Sequence, residues 1–162
     1  MRTNYGKEYS RIRFGFLAYR DLWNKDLQFE KFDFSTDVDE LTAFIDSVKT
    51  YNGVDMAEDV TGAITYATDN FSFDPQAVLC VFLIADAPTH GKLYHNIGAR
   101  GDNLYDEITE PVLETALQAF RAKVCSTTMD GSKKRDPTFV CLALNTSTDI
   151  MYKRMSKAFK GL

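Results

Sequence analysis

The chain has little of what marks several large classes of protein. No apolar run approaches the about 20 residues that cross a bilayer. The amino-terminal stretch MRTNYGKEYSRIR has no apolar signal core. Cysteines number 3, Cys80, Cys125 and Cys141, with no Cys-x-x-Cys pair among them. That argues against a disulfide scaffold and for a reducing, cytoplasmic setting. Cys80 and Cys141 sit inside apolar runs and read as small buried hydrophobes. Lys and Arg number 19 against 23 Asp and Glu, a net charge of -4. No basic stripe suits nucleic acid or an anionic membrane surface, and Lys133-Lys134-Arg135 reads as a solvated loop tip. Neither a glycine-rich phosphate loop nor a Gly-x-Ser-x-Gly elbow occurs, so nothing here marks phosphoryl or acyl transfer. The 2 histidines, His90 and His95, lie in one loop without the further ligands that a zinc pattern needs. They read as loop-ordering groups. No internal repeat and no low-complexity tract is present.

What is there suits a packed core. The 162 residues are 44% hydrophobic, with 12 Phe and 8 Tyr, enough for one domain or part of one. RIRFGFLAY, Arg11 to Tyr19, has two apolar faces and reads as an interior strand of a covered sheet. LQFEKFDF, Leu27 to Phe34, follows after the short polar DLWNKD. So short a link predicts an antiparallel hairpin, because a parallel partner needs a long crossover. Glu30, Lys31 and Asp33 suit a sheet edge. Thr36 with Asp39 marks a helix start, and Val38, Leu41, Phe44, Ile45 and Val48 keep helical spacing up to Asn52-Gly53. Asp55 and Glu58 stand in capping-box spacing before a second helix with Val60, Ala63, Ile64 and Ala67 inward. Glu58 and Asp59 complement its dipole. AVLCVFLIA, Ala77 to Ala85, is a continuous apolar run of the kind found in central parallel strands.

A polar stretch from Asp86 to Asp106 comes next. A helix near Pro111 carries Val112, Leu113, Ala116, Leu117 and Phe120. The loop Ser126 to Pro137, the buried strand TFVCLALN and a terminal helix over about Thr148 to Phe159 complete the chain. Strands alternating with helices predict an α/β layered sheet.

Chain direction then places the acids. If the Arg11 strand runs up, the hairpin partner runs down and the next helix returns. The second helix descends and the Ala77 strand climbs to Asp86. Asp55, Asp86 and the Tyr19-Arg20-Asp21 strand end thus share the carboxyl-end rim where open α/β sheets bind ligands. Two acids there can serve a hard cation such as Mg2+. Asp86 equally reads as the point where a strand surfaces, and Asp55 as a helix cap. Arg20 and Asp21 read either as a rim ion bridge or as a plain turn.

AYRD (Ala18 to Asp21), NGVDMAEDV (Asn52 to Val60), IADAPTHGKLYH (Ile84 to His95) and STDIMYKRM (Ser147 to Met155) carry a resemblance. In this order they resemble the von Willebrand factor A-like domains attached to alpha-type protein kinases of lower eukaryotes. The resemblance implies a three-layer, Rossmann-like fold whose sheet is mostly parallel with one antiparallel edge strand. It implies a metal-ion-dependent adhesion site in which Asp55 fills the second position and Asp86 the third, with Mg2+ as cofactor. The DxSxS motif of such sites is absent and the family's first and last strands lack counterparts. The chain, 1–162, is therefore expected to be a single partial domain with a degenerate site. The function implied is a non-catalytic protein-interaction or targeting module that binds an acidic side chain of a partner protein. Two alternatives stand beside it. One is a fragment of an alpha-type serine/threonine protein kinase whose catalytic domain lies outside this chain. The other is a small-ligand-binding α/β domain without metal.

Overall fold

A computed structural model describes residues 12–51, 53–75, 77–125 and 136–160. Lys133-Lys134-Arg135, most of the Ser126 to Pro137 loop, and Asn52 lie outside these described residues. The architecture is mixed α/β. Strand β1 (Phe14–Tyr19) pairs antiparallel with β2 (Phe29–Ser35) across a 3-10 segment, Leu22–Leu27. Phe16 faces Phe32 and Tyr19 faces Phe29 across the ladder. The hairpin expected from DLWNKD is therefore present. Asp21 opens the turn by accepting a hydrogen bond from the Leu22 amide at 2.6 Å.

Helix α1 (Val38–Ser47) begins at Asp37, whose carboxylate accepts from the amides of Asp39 and Glu40. The cap is thus Asp37, not Thr36: the carboxylate reaches two of the free first-turn amides. Phe44 of α1 meets Phe16 and Phe32 of the hairpin, while Val38 and Ile45 stay exposed and α1 buries none of its residues fully. Helix α2 (Val60–Asn70) is capped by Asp59, which accepts from the Gly62 amide at 2.7 Å. Asp55, expected to cap it, lies too far upstream of the first helical residue.

Strand β3 (Cys80–Ala85) runs parallel to β4 (Thr138–Ala143), and helix α3 (Val112–Val124) lies in the crossover between them. A parallel pair needs such a long connection. Helix α4 (Asp149–Lys160) follows β4. The core joins Val60 and Ile64 of α2, Leu83 of β3, Leu113, Leu117 and Phe120 of α3, and Met151 and Met155 of α4. The helical spacing of these residues in the sequence agrees with their burial. Tyr94, from the long loop after β3, is also fully buried in this core.

Two expectations are corrected. The described strands form two separate two-stranded sheets, β1-β2 and β3-β4, rather than one mostly parallel sheet. No ladder hydrogen bonds join β1 to β3 among the described residues. The β3 run is not covered on both faces either: Leu83 and Ala85 point into the core while Phe82 is 61% and Ile84 56% exposed. Cys80 is exposed for the same reason and Cys141 is half-buried. An apolar run records hydrophobicity on both faces of a strand, but which faces are covered depends on the neighbours it finds.

Candidate metal centre

The polar stretch after β3 has little regular structure, yet it is internally bonded throughout. Its pivot is Asp102, 0% exposed. Oδ1 of Asp102 accepts from His90 Nδ1 at 2.8 Å and from the Leu104 amide at 2.8 Å. Oδ2 accepts from the Gly91 amide at 2.7 Å and from His95 Nε2 at 2.9 Å. Burial alone would raise this carboxyl's pKa, but these donors outweigh it and hold it below the usual range. Gly91 is required here twice over. Its φ is 103°, and a Cβ would come within 2.8 Å of Ile108.

His90 is 2% exposed and its other nitrogen, Nε2, lies 2.9 Å from Asp21 Oδ1. Carboxylates only accept, so both ring nitrogens carry protons in this arrangement. Burial works against that imidazolium, but hydrogen bonds to Asp102 and Asp21 prevail and its pKa is raised. Asp21 is 0% exposed, and among the described residues its second oxygen, Oδ2, has no hydrogen-bond partner. Above it sits Gly53, where a Cβ would stand 3.4 Å from that oxygen and 3.7 Å from Glu58 Oε1.

The segment after Gly53 is pinned to the long loop. Amides of Met56 and Ala57 donate to the Gly101 carbonyl, and the Glu58 amide donates to that of Pro88. Asp55 Oδ2 accepts from the Asn103 amide at 2.7 Å, and Asp55 Oδ1 has no partner among the described residues. One ligand atom from each of Asp21, Asp55 and His90 falls within 4.8 Å of the others. This group could hold a metal ion. Glu58 flanks it, with Oε2 unpartnered among the described residues. Burial, then the charges of Asp21 and Asp86, with Asp55 adding and His90 opposing, push Glu58 up to about 7.

Asp55 therefore stands in this group with Asp21 and His90. Asp86 is exposed at the end of β3 and is not one of the three. Its backbone carbonyl accepts from Asn145 Nδ2 and Ser147 Oγ, both at 2.7 Å. Its charge nevertheless bears on Glu58 and on Tyr19. Beside the group an open groove of about 880 Å3 is lined by Met56, Glu58, Asp86, Asn145 and Lys153, among others.

The Arg20-Asp21 ion bridge does not form. Arg20 pairs instead with Glu30 and donates to the Leu27 and Lys49 carbonyls, while Asp21 turns to His90. Asp102 and the role of His90 were missed in the sequence. The available signal was an acid following two histidines in a loop otherwise without apolar periodicity, and no spacing rule reads it.

Over 86 residues, 53% of this chain, the sequence is 33% identical to "Alpha-protein kinase vwkA" of Dictyostelium discoideum. The chain spans 14% of that protein's length. No protein-family model matches the chain, and no solved structure matches it. Among the described residues no helix is long and apolar enough to cross a membrane.

Proposed function

We propose that this chain is a non-catalytic protein-interaction module, a partial von Willebrand factor A-like domain whose rim carries a divalent cation. The observation that carries the reading is a pair of carboxylate oxygens unpartnered among the described residues, Asp21 Oδ2 and Asp55 Oδ1, gathered with His90 at one site. A buried carboxylate oxygen without a donor is expensive, and a bound cation relieves that expense. The groove lined by Glu58 and Asp86 is open to solvent, a shape that suits a protein segment better than an enclosed small molecule. In this reading the cation keeps a coordination position for an acidic side chain of the partner, and Asp86 shapes the approach to it.

The similarity to vwkA favours a second reading alongside the first. The chain is then one part of a larger alpha-type protein kinase, and phosphoryl transfer belongs to residues outside it.

A peptide array bearing Asp- and Glu-containing sequences tests the module reading. Peptides retained with a divalent cation and released by chelator are the expected result. Cation-independent binding of a nucleotide, seen by calorimetry with no cation-dependent peptide retention, would replace it with the metal-free small-ligand reading.

A further inference from the structure

We infer that the Asp21-Asp55-His90 site takes a first-row transition cation of the Zn2+ class, ligated through the His90 ring nitrogen that faces Asp21, rather than Mg2+. The inference rests on the cation site of the proposed function and names its ion. Three observations carry it.

The first is the donor set. Mg2+ prefers oxygen ligands in octahedral array and keeps several waters. Here one of three donors is an imidazole nitrogen, which suits Zn2+, Co2+ or Fe2+ far better. The second is burial. Asp21 and His90 are both shut from solvent, which leaves little room for a retained water shell. A site with three protein ligands and one open position is common for Zn2+. Gly53, which carries no side chain, borders Asp21 Oδ2, with Glu58 Oε1 close by.

The third is the group behind the histidine. His90 Nδ1 donates to Asp102, which two backbone amides and His95 hold in place. A carboxylate on the far nitrogen fixes the ring and leaves the near nitrogen aimed at the ion, the arrangement behind most metal-bound histidines. Asp102 is thus a positioning residue. The ion replaces the proton between His90 Nε2 and Asp21, and the two aspartates balance its charge. Asp21 Oδ2, buried and without a partner among the described residues, gains the ion.

The test uses the 162-residue chain stripped with chelator. Co2+ titration is expected to give one set of visible d–d bands, displaced by Zn2+ but not by about 100-fold more Mg2+. Asp55→Asn keeps an acceptor for the Asn103 amide. It is expected to weaken Co2+ binding roughly tenfold or more, the lower range seen on removing a residue that merely orients a ligand. Nitrogen-15 NMR of the unsubstituted chain reads the histidines directly: Zn2+ should move Nε2 of His90 and leave Nε2 of His95 on Asp102. Displacement of Co2+ by comparable Mg2+, or a His90 Nε2 resonance that Zn2+ leaves in place, overturns the inference. Mg2+-dependent peptide retention without Zn2+ binding would sink this inference alone and leave the module reading standing.

Discussion

His90 donates from Nδ1 to Asp102 at 2.8 Å, and neither side chain meets solvent. Sequence neighbours do not explain the pair. It is the joint through which the loop after β3 is folded onto itself, and the same ring reaches Asp21 at the end of β1.

Asp102→Ala removes the acceptor for two histidines and two amides in one step. Breaking a buried charged network costs about 3–5 kcal/mol. Urea denaturation should show a loss of that order, with the denaturant slope unchanged. A loss below about 1 kcal/mol, typical of a single dispensable bond, would mean that Asp102 is not the pivot of the loop.

Tyr94→Phe isolates a hydroxyl. Tyr94 OH accepts from the Leu113 amide at 3.0 Å and donates to Glu114 Oε2 at 2.9 Å, at the start of α3. The ring, with Arg154 over it at 5.4 Å, stays. Leaving the buried Leu113 amide without an acceptor should cost about 1–3 kcal/mol. Amide hydrogen exchange should speed up at Leu113 before it does in the middle of α3.

Gly62→Ala should destabilise, against the usual rule. Alanine in a helix normally gains about 0.5–1 kcal/mol over glycine. Here a Cβ would come within 1.8 Å of Asp59 Oδ2. Asp59 must swing away, losing its cap on α2 and its bond from Gln28 Nε2. Loss of the cap alone costs about 0.5–2 kcal/mol. A melting temperature above that of the unsubstituted chain would contradict the cap assignment.

Acid stability should carry the mark of Asp33. Burial tends to raise its pKa, but donors from the Phe34 amide, the Ser72 amide and hydroxyl, and Lys31 lower it from 3.8 to about 2. A folded pKa below the unfolded one means stability fully present above 3.8 and lost as pH falls through about 2. Asp33→Asn should lower stability at neutral pH, with the two curves converging near pH 2. Parallel curves down to that pH would show that Asp33 gains nothing from these partners.

Some of this molecule was legible in one dimension. The Tyr19 to Leu27 link is too short for a crossover, so the hairpin followed from chain length. Leu113, Ala116, Leu117 and Phe120 kept helical spacing and are buried in α3. The second helix was equally readable, but its cap was not: Asp55, Glu58 and Asp59 compete in the sequence, and Asp59 caps because its carboxylate meets the Gly62 amide. The expectation of one sheet went further than local pattern allows. Among the described residues β1 and β3 each find a single ladder partner, and pairing is a matter of what arrives beside a strand.

By itself, the sequence determined the alternation of strands and helices, the hairpin and the apolar faces that build the core, because period and link length are local properties of a chain. Only the tertiary structure decided the site. It took Asp21 away from Arg20, gave it to His90 across 69 positions, and brought Asp55 beside them. Electrostatic partnership falls off with distance in space, and no spacing along the chain encodes it.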